Sequence, residues 1–450
     1  MPRLRTVTPF VATVLGLTLG LTLAQAALAA DLLQSFEAAL EQDTGMRAAR
    51  ASQQSAHERL PQANAQMLPN ISLGVSRNQN DIDRTQQSST GKEVRSSERY
   101  YSYNQTLQLR QPLYRKQLLI NRNEAIEAGK QADALVSKEA QNLAVKVTSA
   151  YLEALLAQDQ LDLILKEREL IVASLDAARK SVHAGSGTRT DVDEAQAQLD
   201  LNRAQELDAR QNFELSSRTL QSLTQQKAAV LARLAADRLV PHAPDPDDLD
   251  HWISEAQANS PDLLARQAEV NAAQLEIDKA QAGHYPTLDA VAMITRSGSE
   301  TVTSPDSSYV DRILGVQLNV PLYSGGGVSS AVRQAIAEQA KAQELLESAR
   351  RELALQVSRE YFGLRQGLAK WQALQQAELS ARQLVISSRK SQQAGVRTVL
   401  DVLNAEHKLQ MVLRDLAQAR YQYIRAWVAL HTLAGRAPME AVSAANSWFE

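Results

Sequence analysis

Between Arg115 and Val182 the chain contains no proline and a single glycine, Gly129. From Val328 to Gln393 the only interruptions are Gly363 and Gly367. Both runs are rich in Ala, Leu, Gln, Glu and Arg, residues that lose little freedom on entering a helix. About 65 helical residues at 1.5 Å each span roughly 100 Å. No single globular core buries a helix of that length, so each run belongs to a coiled coil or to a barrel of helices. Leu353, Val357, Tyr361, Leu364, Leu368 and Trp371 follow spacings of 4, 4, 3, 4 and 3, a heptad-like seam. Only 4% of the 450 residues are aromatic, which agrees with long helices rather than several compact cores.

The long runs belong to a tandem repeat. "RQPLYRKQ" (Arg110 to Gln117) recurs as "NVPLYSGG" (Asn319 to Gly326), and "AYLEAL" (Ala150 to Leu155) corresponds to "EYFGLR" (Glu360 to Arg365). The turns "AGSGTRTD" and "AGVRTVLD" match at an offset of 210, and "QMLPNISL" matches "GHYPTLDA" at 217. Each half reads helix, strand, strand, long helix, long helix. The first covers 31–238, with strands about 70–78 and 101–111 and a helical hairpin about 115–233. The second covers 249–435, with strands about 287–296 and 312–320 and a hairpin about 328–433. Initial helices are expected at about Leu32 to Ala65 and Leu249 to Ala282. Residues 239–252, rich in Pro and Asp, read as a connector, and 436–450 as an irregular end.

The strand segments alternate with period two. Ile71, Leu73 and Val75 alternate with Ser72, Gly74 and Ser76; Leu314, Val316, Leu318 and Val320 alternate with Gly315, Gln317 and Asn319. Lengths of about 9 to 11 residues suit tilted strands crossing a bilayer, and the long polar stretches between them suit external loops. Two ordinary hairpins on a soluble domain give the same alternation. If the strands do span lipid, four cannot close a barrel and an open edge is not tolerated there. Several chains must then share one barrel; strand count alone does not give their number.

Residues 1–30 read as a signal peptide: basic Arg3 and Arg5, an apolar run from Phe10 to Leu28, then small residues before Asp31. A retained membrane anchor is the alternative. Removing this segment leaves 46 basic against 51 acidic residues, a net of −5, so no polycationic surface argues for nucleic acid. The absence of cysteine excludes disulfides and a cysteine-linked lipid anchor. The seven histidines fall in no metal-binding spacing, and there is no phosphate loop or nucleophile elbow. The expectation is therefore no enzyme, no catalytic residue, no metal and no cofactor.

"GHYPTLD" (Gly283 to Asp289), "PLYSGGGVSSAVRQA" (Pro321 to Ala335), and "AGVRTVLDVLNA" followed by "ARYQYIRAWVALHTLAG" (Ala394 to Ala405 and Ala419 to Gly435) resemble the TolC family of outer-membrane channels. The resemblance covers nearly the whole mature chain. It implies a mainly α fold with a β-barrel portion: a homotrimer with a shared twelve-stranded barrel and a long α-helical barrel crossing the periplasm. Residues 239–252 and 436–450 would form an equatorial domain. Pro69, Pro112, Tyr114, Pro286, Pro321 and Tyr323 would mark the junction of barrel and tunnel. The resemblance further implies an exit duct for secreted proteins or small toxic compounds, docked to a periplasmic adaptor and an inner-membrane ABC or RND-type transporter. Adaptor grooves would fall near Val192 to Leu199 and Leu400 to Leu409. A periplasmic coiled-coil scaffold or adaptor without membrane strands is the alternative.

The helix turns carry the candidate gate. Gly185 and Gly395 stop the incoming helices, and Thr188 with Asp191, and Thr398 with Asp401, have the spacing of N-terminal caps. The resemblance adds a second role. Asp401, repeated by symmetry, would ring the periplasmic aperture, where crowded carboxylates favour cations and raise one another's pKa. Relatives carry a second acidic ring one turn on, where this chain has Asn404. Arg397 would pin the closed state toward Thr190 and Asp191, while the Tyr that joins this network elsewhere is Gln392 here.

Overall fold

The computed structural model describes residues 31–226, 230–235, 238–301 and 304–449. The expected signal peptide lies outside these residues. Two helices dominate: α4 (Lys116–His183, 68 residues) and α8 (Gly327–Gln393, 67 residues), each about 100 Å long. Each turns back into a shorter helix, α5 (Arg189–Thr224) after α4 and α9 (Val399–Leu433) after α8. In α8 the seam Leu353, Val357, Tyr361, Leu364 and Trp371 is buried. In α4 the buried stripe includes Leu143, Val147, Tyr151 and Leu155, with Ala144, Ala150 and Ala154 between them. Small residues in the stripe let the neighbouring backbones approach closely, which an Ala-rich, Phe-poor sequence favours.

The expected single helices at the start of each repeat are broken by caps. Asp43, in extended conformation, ends α1 (Leu32–Gln42), and its carboxylate accepts from Met46 N (3.0 Å) to start α2 (Thr44–His57). A third piece, α3 (Arg59–Ala65), follows. In the second repeat Ser260 ends α6 (Leu249–Asn259) and caps α7 (Pro261–Gln281), whose proline sits where no N–H is needed. The first hairpin stops at Thr224, short of the expected 233, because Gln225 is left-handed (φ 54°). The end of the chain, expected to be irregular, holds a helix, α10 (Pro438–Asn446), started by its proline and buried through Ala441, Val442 and Ala445.

The strands form one antiparallel sheet in the order β1-β2-β3-β4: β1 (Asn70–Gln87), β2 (Glu93–Tyr114), β3 (Thr287–Thr301) and β4 (Ser304–Asn319). They are longer than expected. The polar stretch after Val75 remains paired out to Gln87 and Glu93, so most of the expected first loop is strand. Asn70 pairs with Arg110, Ser102 with Ser299, and Thr287 with Asn319. One face of the lower sheet carries exposed Ile71, Leu73, Val75, Leu107, Ile294, Leu314, Val316 and Leu318. The other is mainly polar, with Ser72, Gly74, Ser76, Asn104, Thr106, Gln108 and Gln317, though Val291, Met293 and Ile313 also lie on it. An apolar face without cover and a polar face opposite is the pattern of a barrel wall between lipid and water.

The main core lies where the connector and α10 wrap the middle of the long helices. Leu32, Phe36, Tyr151, Leu155, Trp252, Trp427 and Phe449 belong to one buried cluster. Ala235 N donates to Trp448 O (2.9 Å), Tyr423 Oη bonds to both N and O of His242, and Trp252 Nε1 donates to Pro246 O (2.8 Å). The bonds to His242 and Pro246 anchor residues 239–248, which have no regular secondary structure, while 249–252 of the expected connector already belong to α6.

Candidate channel site

The two helix turns stand at one end of the hairpins and the sheet at the other. At both turns glycine adopts φ 74°, Gly185 after α4 and Gly395 after α8. The orphan carbonyls of the incoming helix are met locally: Ser186 N donates to Ser181 O and Val396 N to Ser391 O, both at 2.9 Å. The outgoing helices begin with reciprocal capping. Thr188 Oγ1 accepts from Asp191 N (3.2 Å), and Asp191 Oδ2 accepts from Thr188 N (3.1 Å). Thr398 and Asp401 repeat the arrangement at 3.2 and 2.9 Å. The Thr398 backbone N–H, then its hydroxyl, and then the Arg397 charge hold the Asp401 carboxyl below the usual carboxylate range. Within one chain the capping bonds therefore act against the upward shift expected of a crowded ring.

Arg397 Nη1 donates to Ser388 Oγ at 2.7 Å. The structure thus brings Arg397 to its own hairpin rather than to Thr190 or Asp191 of the same chain. Asn404 is exposed one turn beyond exposed Asp401, and Gln392 is half-buried beside the turn.

Behind the tips lie ionic ties that the sequence reading did not single out. Arg389 on α8 reaches the buried carboxylate of Glu406 on α9. In the first repeat Arg179 takes the same place, donating to Gln196 (3.2 Å). Arg168 on α4 and Arg210 on α5 converge on Glu206, each at 2.6 Å. His407 Nδ1 lies 3.0 Å from Glu167 Oε1 and ties the second hairpin to the first. The offset of 210 also relates Arg179 to Arg389 and Gln196 to Glu406, so the repeat held a signal for the hairpin tie. The ties to Glu206 and Glu167 lack such a signal.

At the other end Pro69 and Pro286 directly precede β1 and β3, and Pro112 lies by the irregular step between Pro112 and Tyr114. Pro321 follows β4, and Tyr323 is 90% exposed. The sequence reading missed the group that fixes this junction. Asp289 on β3, almost fully covered, accepts from Arg115 (2.9 and 2.6 Å) and from Arg110 (2.8 Å). It binds the second repeat's strand to the first repeat's strand and to the residue that leads into α4.

An amphipathic sheet carried on helical hairpins about 100 Å long is the architecture of a channel wall with a long helical extension, a transport duct. The model of the family described as outer membrane efflux protein matches residues 36–225 and 252–436, and the chain belongs to that family. The chain is 32% identical over 429 residues to the alkaline protease secretion protein AprF of Pseudomonas aeruginosa, covering 94% of this chain and 89% of that one. It is 30% identical over 421 residues to the proteases secretion protein PrtF of Dickeya chrysanthemi, covering 93% and 91%. Among solved structures, the outer membrane protein VceC of Vibrio cholerae shares the fold with a TM-score of 0.72 at 18% identity, covering 90% of this chain and 96% of that one. The CmeC outer membrane channel of Campylobacter jejuni does so at 0.74 and 12% identity, covering 93% and 90%. Among the described residues no helix is both long and apolar enough to cross a membrane; the exposed apolar surface is carried by the sheet. A scaffold or adaptor without membrane strands leaves that surface unexplained.

Proposed function

We propose that three copies of this chain close a twelve-stranded barrel and that the assembly is the exit duct of a type I protein secretion system. It would dock to a periplasmic adaptor and an inner-membrane transporter of the ABC class, with an RND-type transporter as the partner if small toxic compounds are the cargo. The observation that carries this reading is the full-length likeness to two protease secretion proteins. The two open sheet edges support the assembly, because an unpaired edge in lipid costs several kcal/mol per backbone group. At the tips, Asp401 would be repeated around the axis as a cation-favouring ring. Arg397 would latch the aperture toward Thr190 and Asp191 of an adjacent hairpin until the adaptor engages. The grooves near Val192 to Leu199 and Leu400 to Leu409 are the docking surface for that adaptor.

Deleting the gene and comparing the secreted proteome with susceptibility to toxic compounds tests the cargo. Loss of one or a few secreted proteins with unchanged susceptibility is expected. Increased susceptibility with an intact secreted proteome overturns the protein-secretion reading.

A further inference from the structure

The two hairpins of the sheet share one register. Shifting β1 by 217 residues and β2 by 209 turns the pair Asn70 and Arg110 into Thr287 and Asn319, which is the pairing found. The same offsets carry Ser76 and Asn104 to Met293 and Ile313, again as found. The sheet is thus a repeated unit, and the seam between units within the chain is β2 against β3. The seam between chains joins the same kinds of strand, β4 as the copy of β2 and β1 as the copy of β3.

From this relation, and resting on the trimeric reading above, we infer that β4 pairs antiparallel with β1 of the partner subunit in the transposed β2–β3 register. Leu107 opposite Ile294 becomes Val316 opposite the partner subunit's Arg77. Leu109 opposite Ala292 becomes Leu318 opposite the partner subunit's Val75. Gln111 opposite Ala290 becomes Val320 opposite the partner subunit's Leu73. Tyr114 opposite Leu288 becomes Tyr323 opposite the partner subunit's Ile71.

Face parity and charge both fit this register. Parity is right: Leu318, Val320, Leu73 and Val75 are all exposed apolar residues of the lipid face, while Gln317 meets Ser76 and Asn319 meets Gly74 on the polar face. A slip of one residue would turn every one of these to the wrong side. Tyr323, 90% exposed, gains an apolar neighbour. Charge is right as well: Arg312 stands opposite the partner subunit's Asp81. Asp81 holds Arg99 through Oδ2 alone (3.2 and 2.9 Å), so a second guanidinium on its other oxygen is compatible with that contact.

The two seams differ in where their ions sit. Within the chain, Asp289, Arg110 and Arg115 lock the foot of the sheet; the corresponding positions at the subunit seam are Ser72, Asn319 and Ser324. The Arg312 and Asp81 positions correspond within the chain to Tyr103 and Gly298, a close ring-over-backbone contact. The subunit seam is therefore ionic toward the outer end and neutral at the foot.

The chain lacks cysteine, so paired substitutions read the register directly. Adjacent antiparallel pairs alternate between two geometries that differ in ease of disulfide formation. One pair of each kind is therefore used: Leu318→Cys with Val75→Cys, and Gln317→Cys with Ser76→Cys. Mild oxidation in outer membranes is expected to give a ladder ending at a covalent trimer on non-reducing gels. The slipped pairs, Leu318→Cys with Leu73→Cys or with Arg77→Cys, are expected to link at least about tenfold more slowly, because their Cα atoms lie beyond disulfide reach. In parallel, Arg312→Asp is expected to lower the temperature at which the trimer dissociates in detergent, and adding Asp81→Arg to restore it. Faster linking of a slipped pair, or no linking by either in-register pair in a protein that still sediments as a trimer, overturns the register. A wild-type chain that does not form a trimer overturns the assembly reading instead.

Discussion

Arg115, the last residue before α4, holds Asp289 at the foot of β3 through both carboxylate oxygens, at 2.9 and 2.6 Å. The contact joins residues 174 positions apart, one from each repeat. Arg110 completes the cluster from β2. Asp289→Ala leaves two guanidinium groups without their shared acceptor. The expected loss is about 2 to 3 kcal/mol, below that of a fully buried pair because Arg110 stays half-exposed. Thermal unfolding in detergent checks it, with Asp289→Asn, which keeps an acceptor oxygen, expected to fall between the two.

His431, buried at the main core, gives a pH dependence. Burial, the largest cause, lowers its pKa from 6.5 to about 4. Its ring stacks on Trp427 at 4.0 Å and meets the edge of Trp252, and Nδ1 donates to Trp427 O at 2.8 Å. A histidine whose folded pKa is depressed contributes stability above its unfolded value. That contribution falls as pH drops from 6.5 toward 4, because the unfolded chain takes up the proton first. Up to about 3 kcal/mol is at stake. Melting temperatures at pH 7 and 4.5 are expected to differ more for the wild type than for His431→Gln.

Gly395 and Gly185 occupy the left-handed region at φ 74° with open space where a Cβ would stand. Gly395→Ala therefore carries a conformational cost without a clash, about 1 kcal/mol. The expected result is faster hydrogen exchange at the Val396 amide, which closes the turn, with little change in overall melting.

The proposed gate yields a conductance test. If Arg397 latches the aperture, Arg397→Ala is expected to raise single-channel conductance in planar bilayers severalfold. Asp401→Asn is expected to reduce preference for cations without opening the pore. Unchanged conductance of Arg397→Ala speaks against the latch and leaves Arg397 a local partner of Ser388.

Much of the tunnel was legible because helix length, heptad spacing and glycine stops are local signals. The Pro-Leu-Tyr and Ala-Gly repeats related the two halves. The Asp289 cluster was not legible, because its partners are brought together only by strand pairing between repeats. The strand ends were missed for another reason: beyond Val75 β1 is polar on both faces apart from Ile82, so alternation vanishes while hydrogen bonding to β2 continues to Gln87. The helix α10 was hidden by its flanking Gly435 and Pro438, although Ala441, Val442 and Ala445 already supplied its buried face.

The two hairpins of the sheet differ in length. β1 has 18 residues and β3 has 15, so β1 runs roughly 10 Å further along its own strand direction at about 3.3 Å per residue. In the proposed threefold assembly the three first hairpins would rise above their neighbours around the mouth. These hairpins end at Ser88 to Lys92, where Gly91 turns the chain in open space. A short epitope inserted there would be held above the rest of the protein, offering antibodies a handle on the living cell surface that leaves the wall of the duct untouched.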